Sequence, residues 1–149
     1  MSYNNSCLHY RIGTKTLGAV QFNVALVINE ETKTVHGSGR ITQSTNPPVN
    51  IQTTIDGKYN VIRPRSSIVP IKVEWVAISA EGYTTIPIHG PQIPSDMPQP
   101  KTWPSPIKVQ NVRLFMWLTN WESGLADFSY IADGKQHDFK DVPVELIKD

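Results

Sequence analysis

The chain is poor in cysteine, in charge and in long apolar runs. Cys7 is its one cysteine, so no intrachain disulfide can form, and a lone thiol suits a reducing compartment. Charged residues make up 18% of the 149, and the formal net charge is +1. No basic cluster exceeds Arg63-Pro64-Arg65, whereas a nucleic-acid binder must neutralise several phosphates on one surface, so nucleic acid is not expected as a partner. The longest apolar runs, Val24–Ile28 and Leu114–Leu118, are far shorter than the roughly 20 residues of a membrane helix. The stretch MSYNNSCLHYRIG has neither a basic nor an apolar leader region. A soluble protein made in the cytoplasm is expected, with export by a leader-independent route left open.

Signatures of chemistry are missing as well. The four histidines, His9, His36, His89 and His137, lie far apart without H-x-H or H-E-x-x-H spacing, so no metal site is expected. Gly37-Ser38-Gly39 is not the G-x-S-x-G nucleophile elbow, and no P-loop or dinucleotide fingerprint occurs. Glu30-Glu31 and the pair Asp138 and Asp141 fall in turn-like places without calcium-loop spacing. The expectation is no catalytic residue, no cofactor and no enzyme.

What the sequence does have is period-two alternation. Val20, Phe22, Val24, Leu26 and Ile28 share one face of a half-buried strand, with Gln21, Asn23 and Ala25 on the other. The polar run Asn29–Lys33 turns it into TVHGSGRIT, where Gly37 and Gly39 leave two inward positions without side chains, room that an aromatic ring would fill. NIQTTIDGKYNVIRP reads as a hairpin turning at Asp56-Gly57, and Glu81-Gly82 and Asp133-Gly134 read as further turns. Val69, Ile71, Val73 and Trp75 form one face of another strand, and Trp75 and Trp117 are expected in the core. Seven prolines between Pro87 and Pro106, with Trp103 among them, exclude a central strand and predict a long ordered loop at about 87–106. About eight strands and no helical period predict a single all-β domain over residues 1–149, an antiparallel β-sandwich or, alternatively, a flattened β-barrel.

Two stretches carry a family likeness. GSGRITQSTNPPVNIQTTIDGKY places Gly37, Gly39, Ile41, Thr42, Gln43, Thr45, Asn46, Pro47 and Pro48 in a G-x-G-x-I-T-Q-x-T-N-P-P pattern. NWESGLADFSYIADG, followed by VPVELI, places Trp121, Ser123, Gly124, Ala126, Phe128 and Tyr130 in a W-x-S-G-x-A-x-(Y/F)-x-Y pattern. The chain resembles the small bacterial family described as domain of unknown function 1842. The resemblance implies a compact bacterial β-domain over most of the chain and implies no activity.

Function is therefore read from surface chemistry. Trp103 and Trp121 stand at loop or strand-end positions, and Trp121 is flanked by Asn120 and Glu122, a set able to stack on a sugar and bind its hydroxyls. The opposing expectation is that both tryptophans plug the ends of the fold. Gln43 and Asn46, in a Pro47-Pro48 corner, are either local backbone partners at a strand crossing or contacts to a polar ligand. Three functions are expected in order: a non-catalytic module binding a carbohydrate or other small polar ligand; a structural, homo-oligomeric protein using strand edges or the proline-rich loop; and a lipid-binding protein resembling aegerolysins in size and tryptophan content, with a membrane surface as partner.

Overall fold

The computed structural model describes residues 7–45, 47–63, 73–86 and 107–147. Eight strands follow one another: β1 (Cys7–Ile12), β2 (Gln21–Asn29), β3 (Thr34–Gln43), β4 (Val49–Ile62), β5 (Trp75–Ile86), β6 (Ile107–Thr119), β7 (Ser123–Ala132) and β8 (Lys135–Leu146). Each pairs antiparallel with its neighbour in sequence, and β1 returns to β8 to close a barrel. The all-β antiparallel expectation holds, and of the two architectures it left open the barrel is the one formed. No helix occurs among the described residues. The closing ladder is the shortest, holding Tyr10 with Leu146, Arg11 with Glu145 and Ile12 with Val144.

Alternation decides what fills the interior. Phe22, Val24, Leu26 and Ile28 point inward from β2, as their spacing predicts, and Leu8, Tyr10 and Ile12 do so from β1. Val76, Ile78, Leu114, Met116, Leu118, Ala126, Phe128 and Tyr130 complete the opposite wall. An eight-stranded barrel is just wide enough to be filled by such side chains. Phe22 meets Phe128 edge to face across it, with ring centroids 5.2 Å apart.

Gly39 is the inward glycine that makes room for an aromatic ring. A Cβ there would lie 2.5 Å from Cε1 of Phe22 and 3.0 Å from Cδ1 of Ile55. Gly39→Ala is expected to overpack this spot and lower stability by about 1–3 kcal/mol, read from the denaturant midpoint.

Several sequence expectations need correction. Asp56-Gly57 is not a turn: β4 runs through it, with Asp56 opposite His36 on β3 and Glu81 on β5. Gly57 is required there for closeness, since a Cβ would lie 2.4 Å from the Ser79 carbonyl oxygen. Glu81-Gly82 is likewise internal to β5, at a bulge against β6. Asp133-Gly134 is the turn the sequence predicts, with φ of 52° and 74°. Trp75 and Trp117 are not core: they alternate with buried Val76 and with buried Met116 and Leu118, so they stand on the outward face. The expected face of Val69 and Ile71, and the proline-rich segment 87–106, lie outside the described residues.

Candidate functional site

The residues expected to form a ligand site are dispersed. Trp103 and Asn46 lie outside the described residues. Gln43, at the end of β3, donates its amide to the Gly18 carbonyl (3.3 Å), and Thr45 Oγ1 donates to the Pro47 carbonyl (2.8 Å). The first bond reaches the β1–β2 connection and the second is local, and Gln43 and Val49, on either side of the stretch, are cross-strand partners. Asn120, Trp121 and Glu122 sit at the opposite end of the barrel, in the β6–β7 turn.

That turn is structural. Asn120 and Trp121 have φ of 53° and 62°, and the Glu122 N–H donates to the Thr119 carbonyl (3.0 Å), a tight turn with two left-handed central residues inside the three-residue connection from Thr119 to its partner Ser123. Positive φ is unfavourable for a bulky residue. Burial offsets it here: Trp121 is only 4% exposed, packs edge to face on Tyr59 (5.2 Å), and its carbonyl accepts the Tyr10 hydroxyl (2.8 Å). Asn120 ties down the chain leading into β5, accepting the Glu74 N–H on its side chain (2.8 Å) and donating its own N–H to the Glu74 carbonyl (2.7 Å). Trp121 is thus packed into a barrel end, the placement that the opposing expectation describes. Glu122 is exposed, and its carbonyl accepts the Leu146 N–H (2.7 Å).

The outward surface carries three features instead. The first is apolar. Trp117 stands between Ala77 on β5 and Leu125 on β7, and Leu125 faces Pro143 on β8. Phe115 lies two residues before Trp117 on the same face, while Trp75 and its β4 neighbour Ile62 extend the patch. Phe115, Trp117, Leu125 and Ile62 are 45%, 40%, 48% and 44% exposed. The signal was present in LFMWL: five consecutive apolar residues on a strand mean that both faces are apolar, as in sheets covered on both sides. Charges of both signs border the patch along a groove of about 430 Å³ that includes Glu81, Arg113, Asp127, Asp138 and Lys140.

The second is a polar groove of about 490 Å³ across the outer face of β1–β5. Its floor is low because Ala25 and Ser38, paired between β2 and β3, are small.

The third is a charged chain of contacts. A carboxylate can only accept, so the His36 Nδ1–H donates to Asp56 Oδ1 (2.7 Å), while Lys108 Nζ lies 3.6 Å from the other oxygen and 4.9 Å from the Tyr83 ring centroid. The hydrogen bond from His36 holds the Asp56 carboxyl below its ordinary range; burial opposes it, and the charge of Lys108 adds to the lowering. A lowered native pKa stabilises the fold above the ordinary aspartate value and loses that contribution as pH falls through the native one. The stability difference between the wild type and Asp56→Asn is therefore expected to be flat near neutrality, under about 1 kcal/mol for so exposed a pair, and to shrink below about pH 4. Denaturant melts at stepped pH would check it.

No group of three or more metal-ligating side chains occurs among the described residues, and no described helix is long and apolar enough to cross a membrane. In sequence comparison, the family model for a domain of unknown function, DUF1842, matches residues 7–136. The chain belongs to the DUF1842 family. The DUF1842 match takes in β1–β7 and the first residues of β8, so GSGRITQSTNPPVNIQTTIDGKY and NWESGLADFSYIADG fall within it and VPVELI lies beyond it. No curated protein matches the chain.

Proposed function

We propose that this protein is a non-catalytic interaction domain whose outward β5–β8 face pairs with a second copy of the same chain. The observation that carries the reading is the contiguous apolar patch around Trp117. Aromatic side chains present about 150–250 Å² each, so Phe115 and Trp117 alone leave roughly 130–210 Å² in water. With Leu125, Ile62, Trp75 and Pro143 the patch reaches the few hundred Å² at which an exposed apolar surface marks an interaction site.

A stable pair buries about 800 Å² per partner, so the neighbouring charges must be enclosed too. Their signs interleave: Glu81, Asp127 and Asp138 with Arg113 and Lys140. Such a border is self-complementary about a two-fold axis, where a border of one sign would repel its copy. The same mixture argues against an anionic lipid surface, which favours basic residues around an apolar face. Strand edges are a poorer route to assembly. Most of the edge of β8 facing away from β7 is unpaired among the described residues, but it carries Lys135, Asp138, Lys140 and Asp141 and is bent by a bulge, the features that discourage edge pairing.

Light scattering behind size-exclusion chromatography, from micromolar to submillimolar protein, tests the proposal. A two-copy mass is expected, and a monomer throughout would overturn it.

A further inference from the structure

The wall away from the apolar patch holds a different kind of surface. The 490 Å³ groove is lined by His9, Asn23, Ser38, Arg40, Gln52 and Thr54, with Tyr83 and Thr85 on its β5 side, and no acidic residue or lysine is among its described lining. Cross-strand register arranges these groups in two rows. One runs His9, Ala25, Ser38, Thr54, Tyr83 and the other Asn23, Arg40, Gln52. Five strands at about 4.8 Å spacing make the first row roughly 19 Å long, so the groove suits an elongated ligand.

Arg40 gives its charge preference: it lines the groove, is exposed and forms no ion pair among the described residues. A guanidinium presents a planar fork that matches a carboxylate in a bidentate way. The usual phosphate devices, a helix N-terminus or a glycine-rich loop opening a helix, do not occur here among the described residues. The remaining lining is hydroxyl, amide and imidazole, which suits a body rich in hydroxyl groups.

We infer that this groove binds a carboxylated, uronic-acid type of oligosaccharide, with Arg40 taking a carboxylate and Asn23, Ser38, Gln52 and Thr54 its hydroxyls. This is a second site, independent of self-pairing through β5–β8.

Calorimetric titration of the full chain with trigalacturonate, with its neutral methyl ester and with inorganic phosphate tests it. Trigalacturonate is expected to bind, and the ester at least tenfold more weakly. Arg40→Gln should weaken trigalacturonate at least tenfold, and Ser38→Trp, which fills the floor and leaves Arg40 in place, should abolish binding. Circular dichroism of both variants keeps folding separate from binding, since both positions are exposed strand sites. Absence of binding at millimolar trigalacturonate, equal binding of the ester, an undiminished Arg40→Gln, or binding of phosphate alone would each overturn the assignment.

Discussion

Trp117→Glu is expected to convert a two-copy assembly into a monomer while the barrel stays folded. The Trp117 side chain points away from the interior that Met116 and Leu118 fill, so its replacement removes no core packing. At the centre of an interface a tryptophan is commonly worth 2 kcal/mol or more, and enclosing a glutamate against Leu125 and Ala77 adds the cost of an unpaired charge. Together these weaken association by well over about 100-fold, enough to abolish the assembly at micromolar protein. Ile131→Glu is the matched control: it is also outward on β7 and 49% exposed, but it lies beyond the apolar patch. Light scattering should show the control paired and Trp117→Glu single. A Trp117→Glu protein of unchanged mass, or an Ile131→Glu protein equally dissociated, would remove the β5–β8 face as the site of pairing.

Trp121→Ala should behave in the opposite way, costing stability. Removing a buried indole that packs on Tyr59 leaves a cavity at the barrel end, while the main-chain carbonyl that accepts the Tyr10 hydroxyl is kept. Large aromatic truncations of this kind cost about 3–5 kcal/mol. For a chain of this size that corresponds to a fall in Tm of roughly 10 °C or more. Trp121→Phe, which keeps a ring against Tyr59, should recover part of the loss. Thermal melts followed by circular dichroism distinguish this from a ligand-contact role, in which the alanine variant would melt like the wild type.

The contrast between these two tryptophans shows where sequence reading stops. β2 was legible because its two faces differ: Phe22, Val24, Leu26 and Ile28 against Gln21, Asn23 and Ala25. In VEWVAIS both parities are apolar, so alternation alone cannot say whether Trp75 or Val76 points inward. The barrel settles it through the partners Val76 meets, Val61 on β4 and Leu118 on β6. Likewise Asp133-Gly134 and Asp56-Gly57 are the same dipeptide. The first has its strands paired back on themselves, while the second is held extended between β3 and β5, where the missing Cβ matters and the turn preference does not. The candidate site was illegible for a related reason. Asn23, Arg40 and Gln52 are distant in sequence and become a row only when the register is known.

The short ladder between β1 and β8 bears on the order of folding. Every other ladder joins strands consecutive along the chain, so each can zip from its own connection with little loss of chain entropy. Pairing Ile12 with Val144 instead requires more than a hundred intervening residues to be in place first. With three residue pairs to hold it, this ladder forms last and opens first. Brief parting of β1 from β8 is therefore the cheapest route by which water reaches Tyr10 and Ile12, and slow-exchanging amides should be concentrated on β4 and β5, farthest from that parting line.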